Sequence, residues 1–147
     1  MGVNITLVNS SAREQATHDH LLELLGRYDL RRWQFTEIVQ IDQSVVPHSH
    51  PILTLNACPL DDGHLLGVYI HEQLHWFLMK HEARVQAAFS DLRKLYPVVP
   101  VGLPEGGKDE QSTYLHLLVN WLEYAALVDV VGPDEARRVV MERPFYT

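Results

Sequence analysis

Cysteine is almost absent from this chain of 147 residues, which holds a single one, Cys58. One thiol excludes an internal disulfide and is typical of proteins of a reducing compartment, so we expect a cytoplasmic location. The sequence also lacks an apolar run of the roughly 18 residues that cross a membrane, and the apolar leader of a secreted protein. We therefore expect neither a membrane span nor a membrane partner.

Basic residues are few, because 12 Lys and Arg stand against 19 Asp and Glu and give a net charge of −7. No more than two basic residues stand side by side. Nucleic-acid binding needs a basic patch, so this charge argues against a nucleic-acid partner. The apolar fraction of 46% and charged fraction of 21% are ordinary for a soluble globular protein, and the length predicts one domain over residues 1–147.

The most informative segment runs from Val68 to Phe77, where His71, Glu72 and His75 form an H-E-x-x-H pattern. Apart from these three side chains, residues 65–79 are uncharged and predict a helix that is buried on most sides. Histidines four residues apart lie on one side of a helix, so both imidazoles can reach one ion with the glutamate beside it. The alternative is a set of core polar residues paired with each other or with the backbone.

The run from Val68 to Phe77 resembles the extended signature of the zincin metallopeptidases. That signature has uncharged residues around and between the histidines and a hydrophobic residue two places after the second one, here Phe77. The resemblance implies that His71 and His75 bind Zn²⁺. It also implies that Glu72 is the general base of a metallopeptidase that uses a metal-activated water. The implied substrate is a peptide or protein, and the sequence does not give the oligomeric state.

A catalytic zinc site usually has a third protein ligand, and His81 is one candidate. It stands at the H-x₃-H-x₅-H spacing of the metzincin peptidases and of the bacterial YbeY endoribonuclease family. Both families are similar to this chain in that spacing but have glycine where it has Leu78. Residues 76–95 contain no Gly or Pro, so we expect the helix to continue and to carry His81 away from the ion.

The favoured third ligand is His116, which shares one face of the next predicted helix with Asn120 and Glu123. The gluzincin peptidases place their third ligand, a glutamate, on a downstream helix, often with Asp or Asn four residues later. His116 followed by Asn120 resembles this arrangement, with Asn120 or Glu123 as a hydrogen-bonding support for a ligand. Glu123 is the next candidate for the ligand itself. Tyr114 and Tyr124 are candidate donors to the oxyanion.

Hydrophobic periodicity and capping residues predict three strands and four helices. The predicted strands are Val3 to Val8, Trp33 to Ile41 and Ile52 to Asn56, and the predicted helices are about 12–28, 64–95, 113–131 and 133–141. We expect an α+β fold, a small zincin-like domain in which the long motif helix packs on a second helix and on a small antiparallel sheet.

Three further segments are expected to surround the cleft. His48 and His50 are candidates to line it, and the strand from Ile52 to Asn56 is expected to pair with an extended peptide. The loop over residues 97–109, with its prolines and glycines, is expected to be a mobile lid.

Two other functions stay open. A metal-dependent endoribonuclease similar to the YbeY family would use His71, His75 and His81, but the acidic charge argues against it. A catalytically inactive zincin-like domain would keep the site for structure or for binding, and Glu72 argues against it, because a closed structural site needs no base beside a water.

Overall fold

A computed structural model describes residues 2–143 of the protein, and the structural statements below concern those residues. They form strands β1 (Asn4–Leu7), β2 (Ile38–Ile41) and β3 (Leu53–Leu55), a 3₁₀ turn (Arg31–Trp33), and helices α1 (Ala12–Arg27), α2 (Asp62–Met79), α3 (Glu82–Leu95), α4 (Glu110–Val131) and α5 (Pro133–Met141). The predicted α+β class is confirmed, and the H-E-x-x-H pattern lies within α2.

The sheet is parallel, in the order β1-β2-β3, so the prediction of an antiparallel sheet was wrong. Asn4 pairs with Ile38 in the first pair of strands, and Val39 pairs with Leu53 in the second. Helix α1 connects β1 to β2 and packs on both strands, which returns the chain to the same end of the sheet. The connection over residues 42–52 makes the same return between β2 and β3.

The second strand is shorter than predicted, because the backbone before it is bonded to a helix side chain. Gln73 Oε1 accepts hydrogen bonds from Phe35 N at 2.7 Å and Thr36 N at 2.9 Å, and Gln73 Nε2 donates to Thr36 O at 2.9 Å. These bonds occupy backbone N–H and C=O groups that would otherwise pair with a neighbouring strand. Successive residues of a helix are rotated by about 100°, so the fully buried Gln73 lies on the side of α2 away from His71 and His75. Its hydrogen bonds connect that side of the helix to the backbone that leads into β2.

The predicted helix over residues 64–95 is two helices, with a break at Lys80 and His81. Lys80 N bonds to Phe77 O at 3.1 Å and His81 N bonds to Leu78 O at 3.0 Å, so the last turn of α2 is tightened. Lys80 Nζ donates to Phe35 O at 2.8 Å, and His81 leaves the helical region with φ −125° and ψ 42°. The helix thus ends where no Gly or Pro stands, at a residue whose side chain bonds to a distant part of the chain.

Helix α4 begins at Glu110, earlier than the predicted Thr113, because Asp109 caps it by accepting a hydrogen bond from Ser112 N at 2.7 Å. By length and composition alone α4 could cross a membrane, with a mean hydropathy of 1.2 and 28% of its apolar window buried. One such helix is weak evidence for a membrane span. Here α4 packs on α2, α3 and α5 and carries the buried, ion-paired Glu123.

Glycine lets α5 approach α2 closely. Gly63 and Gly67 stand one turn apart on α2, and a methyl group added at Gly67 would lie 3.0 Å from Val139 Cγ1 of α5. Helix α5 also packs on α4. This packing brings Arg143, which follows α5, beside the polar residues of α4.

We predict that Gly67→Leu lowers the free energy of unfolding by about 1–3 kcal/mol, because the new side chain overpacks the contact with Val139. Val139→Ala in the same background should recover part of the loss. Gly26→Leu is the matched control, since a Cβ there meets no atom within 4 Å. Urea unfolding followed by circular dichroism measures the free energy of unfolding of each variant. Equal losses of stability in Gly67→Leu and Gly26→Leu would contradict the close approach of α5 to α2.

Candidate metal centre

Three imidazoles from two helices meet at one side of α2: His71 and His75 from α2 and His116 from α4. One ring nitrogen of each lies within 4.8 Å of the others, and Nε2 of His71 lies 3.3 Å from Nε2 of His75. Two nitrogens bound at about 2.1 Å to a tetrahedral Zn²⁺ stand roughly 3.4 Å apart. The spacing of the His71 and His75 nitrogens therefore fits two ligands of one zinc ion, and His116 offers a third nitrogen within 4.8 Å of both.

Glu123 supports His71 from behind. Its Oε1 lies 2.8 Å from His71 Nδ1, so a ring that donates there has its lone pair on Nε2, which faces His75. Glu123 is fully buried, and its other oxygen accepts a hydrogen bond from Arg143. Arg143 Nη1 also donates to Asn120 Oδ1 at 2.8 Å. Glu123 is thus placed to hydrogen-bond a candidate metal ligand, His71. Asn120 instead accepts a hydrogen bond from Arg143.

The other two rings are in the form that binds a metal. Burial, together with the neighbouring His71 and His116, lowers the pKa of His75 to about 3. Burial also lowers the pKa of His116, whose Nδ1 lies 2.7 Å from Ser112 O. A neutral ring that donates from Nδ1 to this carbonyl has its lone pair on Nε2. Both shifts favour the uncharged imidazole, which is the form that metal binding requires.

Glu72 lies beside the three rings in a cavity of about 610 Å³. Glu72 is only 7% exposed. Burial raises the pKa of the Glu72 carboxyl above its ordinary value, against the opposite effect of His71 and His48. A buried carboxylate of raised pKa in the same cavity as a candidate metal site is a candidate general base.

The remaining candidates from the sequence lie elsewhere. His81 precedes α3 and contacts the ring of Phe77 at 4.5 Å between ring centroids, outside the group of three histidines. Tyr114 donates its hydroxyl hydrogen to Tyr96 O, which leaves the proposed oxyanion role without geometric support. Tyr124 is 38% exposed and is not among the residues that line the cavity of Glu72.

The segment 46–50 forms a wall of the site. His48 lines the cavity of Glu72, as expected, whereas His50 lines a neighbouring cavity. His48 and Thr54 exchange two backbone hydrogen bonds, of 3.0 and 2.8 Å, in an antiparallel bridge. The outer edge of β3 is therefore occupied at Thr54. The expectation that this strand pairs directly with a peptide is wrong at that position.

Sequence reasoning missed Arg143 and Leu103, which also line the cavity of Glu72. Arg143 follows the last helix and has no periodic or motif context, so only its charge could have suggested a buried acidic partner. Leu103 lies in the loop that was expected to be a lid, and its apolar side chain is 63% exposed.

Comparisons with protein-family models, with curated proteins and with solved structures found no match. The features that point to a function are therefore the geometry of the three histidines and Glu72 and the resemblance carried by residues 68–77.

We predict that Glu123→Gln weakens Zn²⁺ affinity about 10- to 100-fold, because the amide is a poorer acceptor for His71 Nδ1–H and a weaker partner for Arg143. Competition with a chromogenic chelator measures the affinity, and circular dichroism checks the fold. Glu135→Gln is the matched control, since Glu135 pairs with Arg138 away from the histidines. Unchanged affinity in folded Glu123→Gln would show that this carboxylate does not support the metal.

Proposed function

We propose that the protein is a zinc-dependent peptide hydrolase. The observation that carries the proposal is the meeting of His71, His75 and His116, whose ring nitrogens lie within 4.8 Å of one another, with Glu72 in the same cavity. Three protein ligands and one open position are the usual arrangement of a catalytic zinc, whereas structural sites are commonly closed by four protein ligands.

The chain's own residues supply binding and proton transfer. His71, His75 and His116 would hold the ion through ring nitrogens, and when bound it would activate a water and polarise the substrate carbonyl. Glu72 accepts the proton of the attacking water on its carboxylate and passes it to the leaving amine nitrogen as the C–N bond breaks. Burial raises the pKa of the Glu72 carboxyl, which makes the carboxylate a stronger base for the first of these steps.

The geometry gives less support to the alternative of an endoribonuclease. The spacing shared with the YbeY family would use His81, which lies outside the group of three histidines. Arg143, the one arginine lining the cavity of Glu72 within residues 2–143, is paired with Glu123 and Asn120. With a net charge of −7, the chain has little to attract a polyanion.

We predict that the wild-type protein binds one Zn²⁺ and cleaves peptides, and that Glu72→Gln keeps the metal but loses about 10²-fold or more in turnover. His75→Ala should lose the metal and the activity together. His81→Ala is the matched control and should keep both, since that ring lies outside the site. Metal content by plasma mass spectrometry and cleavage of quenched fluorescent casein are the measurements.

Two results would overturn the proposal. One is wild-type protein without a stoichiometric transition metal after mild purification. The other is a Glu72→Gln variant that remains as active as the wild type. Release of acid-soluble nucleotides from RNA without any peptide product would instead support the endoribonuclease alternative.

A further inference from the structure

A second cavity, of about 620 Å³, adjoins the cavity of Glu72. We call the cavity of Glu72 the inner cavity and this one the outer cavity. Ser49 and His75 line both of them. The two cavities are therefore neighbours on either side of His75, the second histidine of the motif, and Ser49.

The residues of α2 line the two cavities in the order of the chain. Val68, His71 and Glu72 line the inner cavity, His75 lines both, and Leu78 and Met79 line the outer one. A helix advances about 1.5 Å per residue, so these residues cover roughly 16 Å along the axis. The two cavities thus follow one another along α2.

The segment opposite α2 shows the same order. Val46, Pro47 and His48 line the inner cavity, Ser49 lines both, and His50 lines the outer cavity. Trp76 of α2 fixes this wall at the junction, because its Nε1 donates to Ser49 O at 2.7 Å and its ring stacks on His50 at 4.2 Å.

The remaining walls agree with this order. On α4, His116 lines the inner cavity, whereas Ser112 and Leu115 line the outer one. In the loop before α4, Leu103 lines the inner cavity and Lys108 the outer one. Three stretches of chain, α2, residues 46–50 and residues 103–116, therefore border both cavities. His75 lies at the junction, and His71 and His116 line the inner cavity beside it.

We propose that the two cavities form one groove that binds an extended peptide on both sides of the bond to be cut, so that the protein is an endopeptidase. This inference rests on the proposed function. An extended chain covers about 3.3 Å per residue, so the groove along α2 holds about five residues. An exopeptidase would need one side to be closed against further chain or to bind a terminal charge.

The inner and outer cavities are the two arms of the proposed groove, and their lining residues differ in polarity. Apolar side chains of Val46, Pro47, Val68 and Leu103 border the inner cavity, which suits an apolar substrate side chain on that side of the bond. The outer cavity combines apolar residues such as Val85 and Phe89 with charged ones such as Glu82 and Lys108. The preferred substrate is thus an unstructured peptide with an apolar residue next to the scissile bond.

The first test uses a pool of octapeptides with an apolar residue at the centre, acetylated at one end and amidated at the other. We expect internal cleavage of the blocked peptides at rates within about threefold of the free-ended pool, and no cleavage of dipeptides. Mass spectrometry of the products locates the cut. Cleavage of free-ended peptides alone, one or two residues from a terminus, would overturn the inference.

A variant of the outer arm tests the groove itself. Met79→Lys places a charge in the outer cavity and should lower kcat/KM for the blocked octapeptides about fivefold or more. Met141→Lys is the matched control, because Met141 is another exposed methionine, on α5, away from both cavities. An equal effect of the two variants would contradict the outer arm.

Binding separates this inference from the proposed chemistry. Fluorescence anisotropy measures binding of the labelled, blocked pool to Glu72→Gln, with Met79→Lys in the same background as the comparison. If Met79→Lys weakens binding of the pool but the wild type cuts no peptide, the peptide-binding groove is supported and the proposed hydrolase activity is overturned. A pool that is neither bound nor cut would overturn the groove.

Discussion

The arrangement of the helices depends on the buried carboxylate of Glu123. It lies between His71 of α2 and Arg143 after α5, with one oxygen towards each. A buried carboxylate costs several kcal/mol in lost hydration unless both oxygens have partners and a counter-charge is near. The two partners belong to different elements, so α2, α4 and the end of α5 must meet in one arrangement. The close packing of α5 over Gly67 is what makes this arrangement possible.

Helix α2 serves two purposes on its two sides. Gln73 binds the backbone before β2 on one side, and His71 and His75 lie towards the cavity on the other. Metal and catalytic groups need to be held to within a fraction of an ångström, which a helix fixed on both sides provides better than a loop. The sheet is small, and its contribution to the site is to hold α2 through Gln73 and to anchor the wall through His48.

The grouping of the three histidines of the candidate site followed largely from spacing. Residues four apart on an apolar helix had to share a side, and the polar stripe of α4, with His116 and Glu123, needed partners that only another buried polar surface could supply. The end of α2 could not be predicted, because no Gly or Pro marks it and Lys80 bonds there to Phe35, far away in the chain. Arg143 could not be predicted either, since no local pattern links it to Glu123.

The direction of the sheet illustrates the same limit and has a consequence for the site. Short strands carry no signal of direction, and here α1 and the connection over residues 42–52 make every pair parallel. That connection must return past β3, and it does so with His48 paired to Thr54. The edge that faces the histidines is therefore an irregular segment rather than β3. Pro47 gives this segment one fewer backbone donor, which limits pairing with another sheet while its side chains still border the groove.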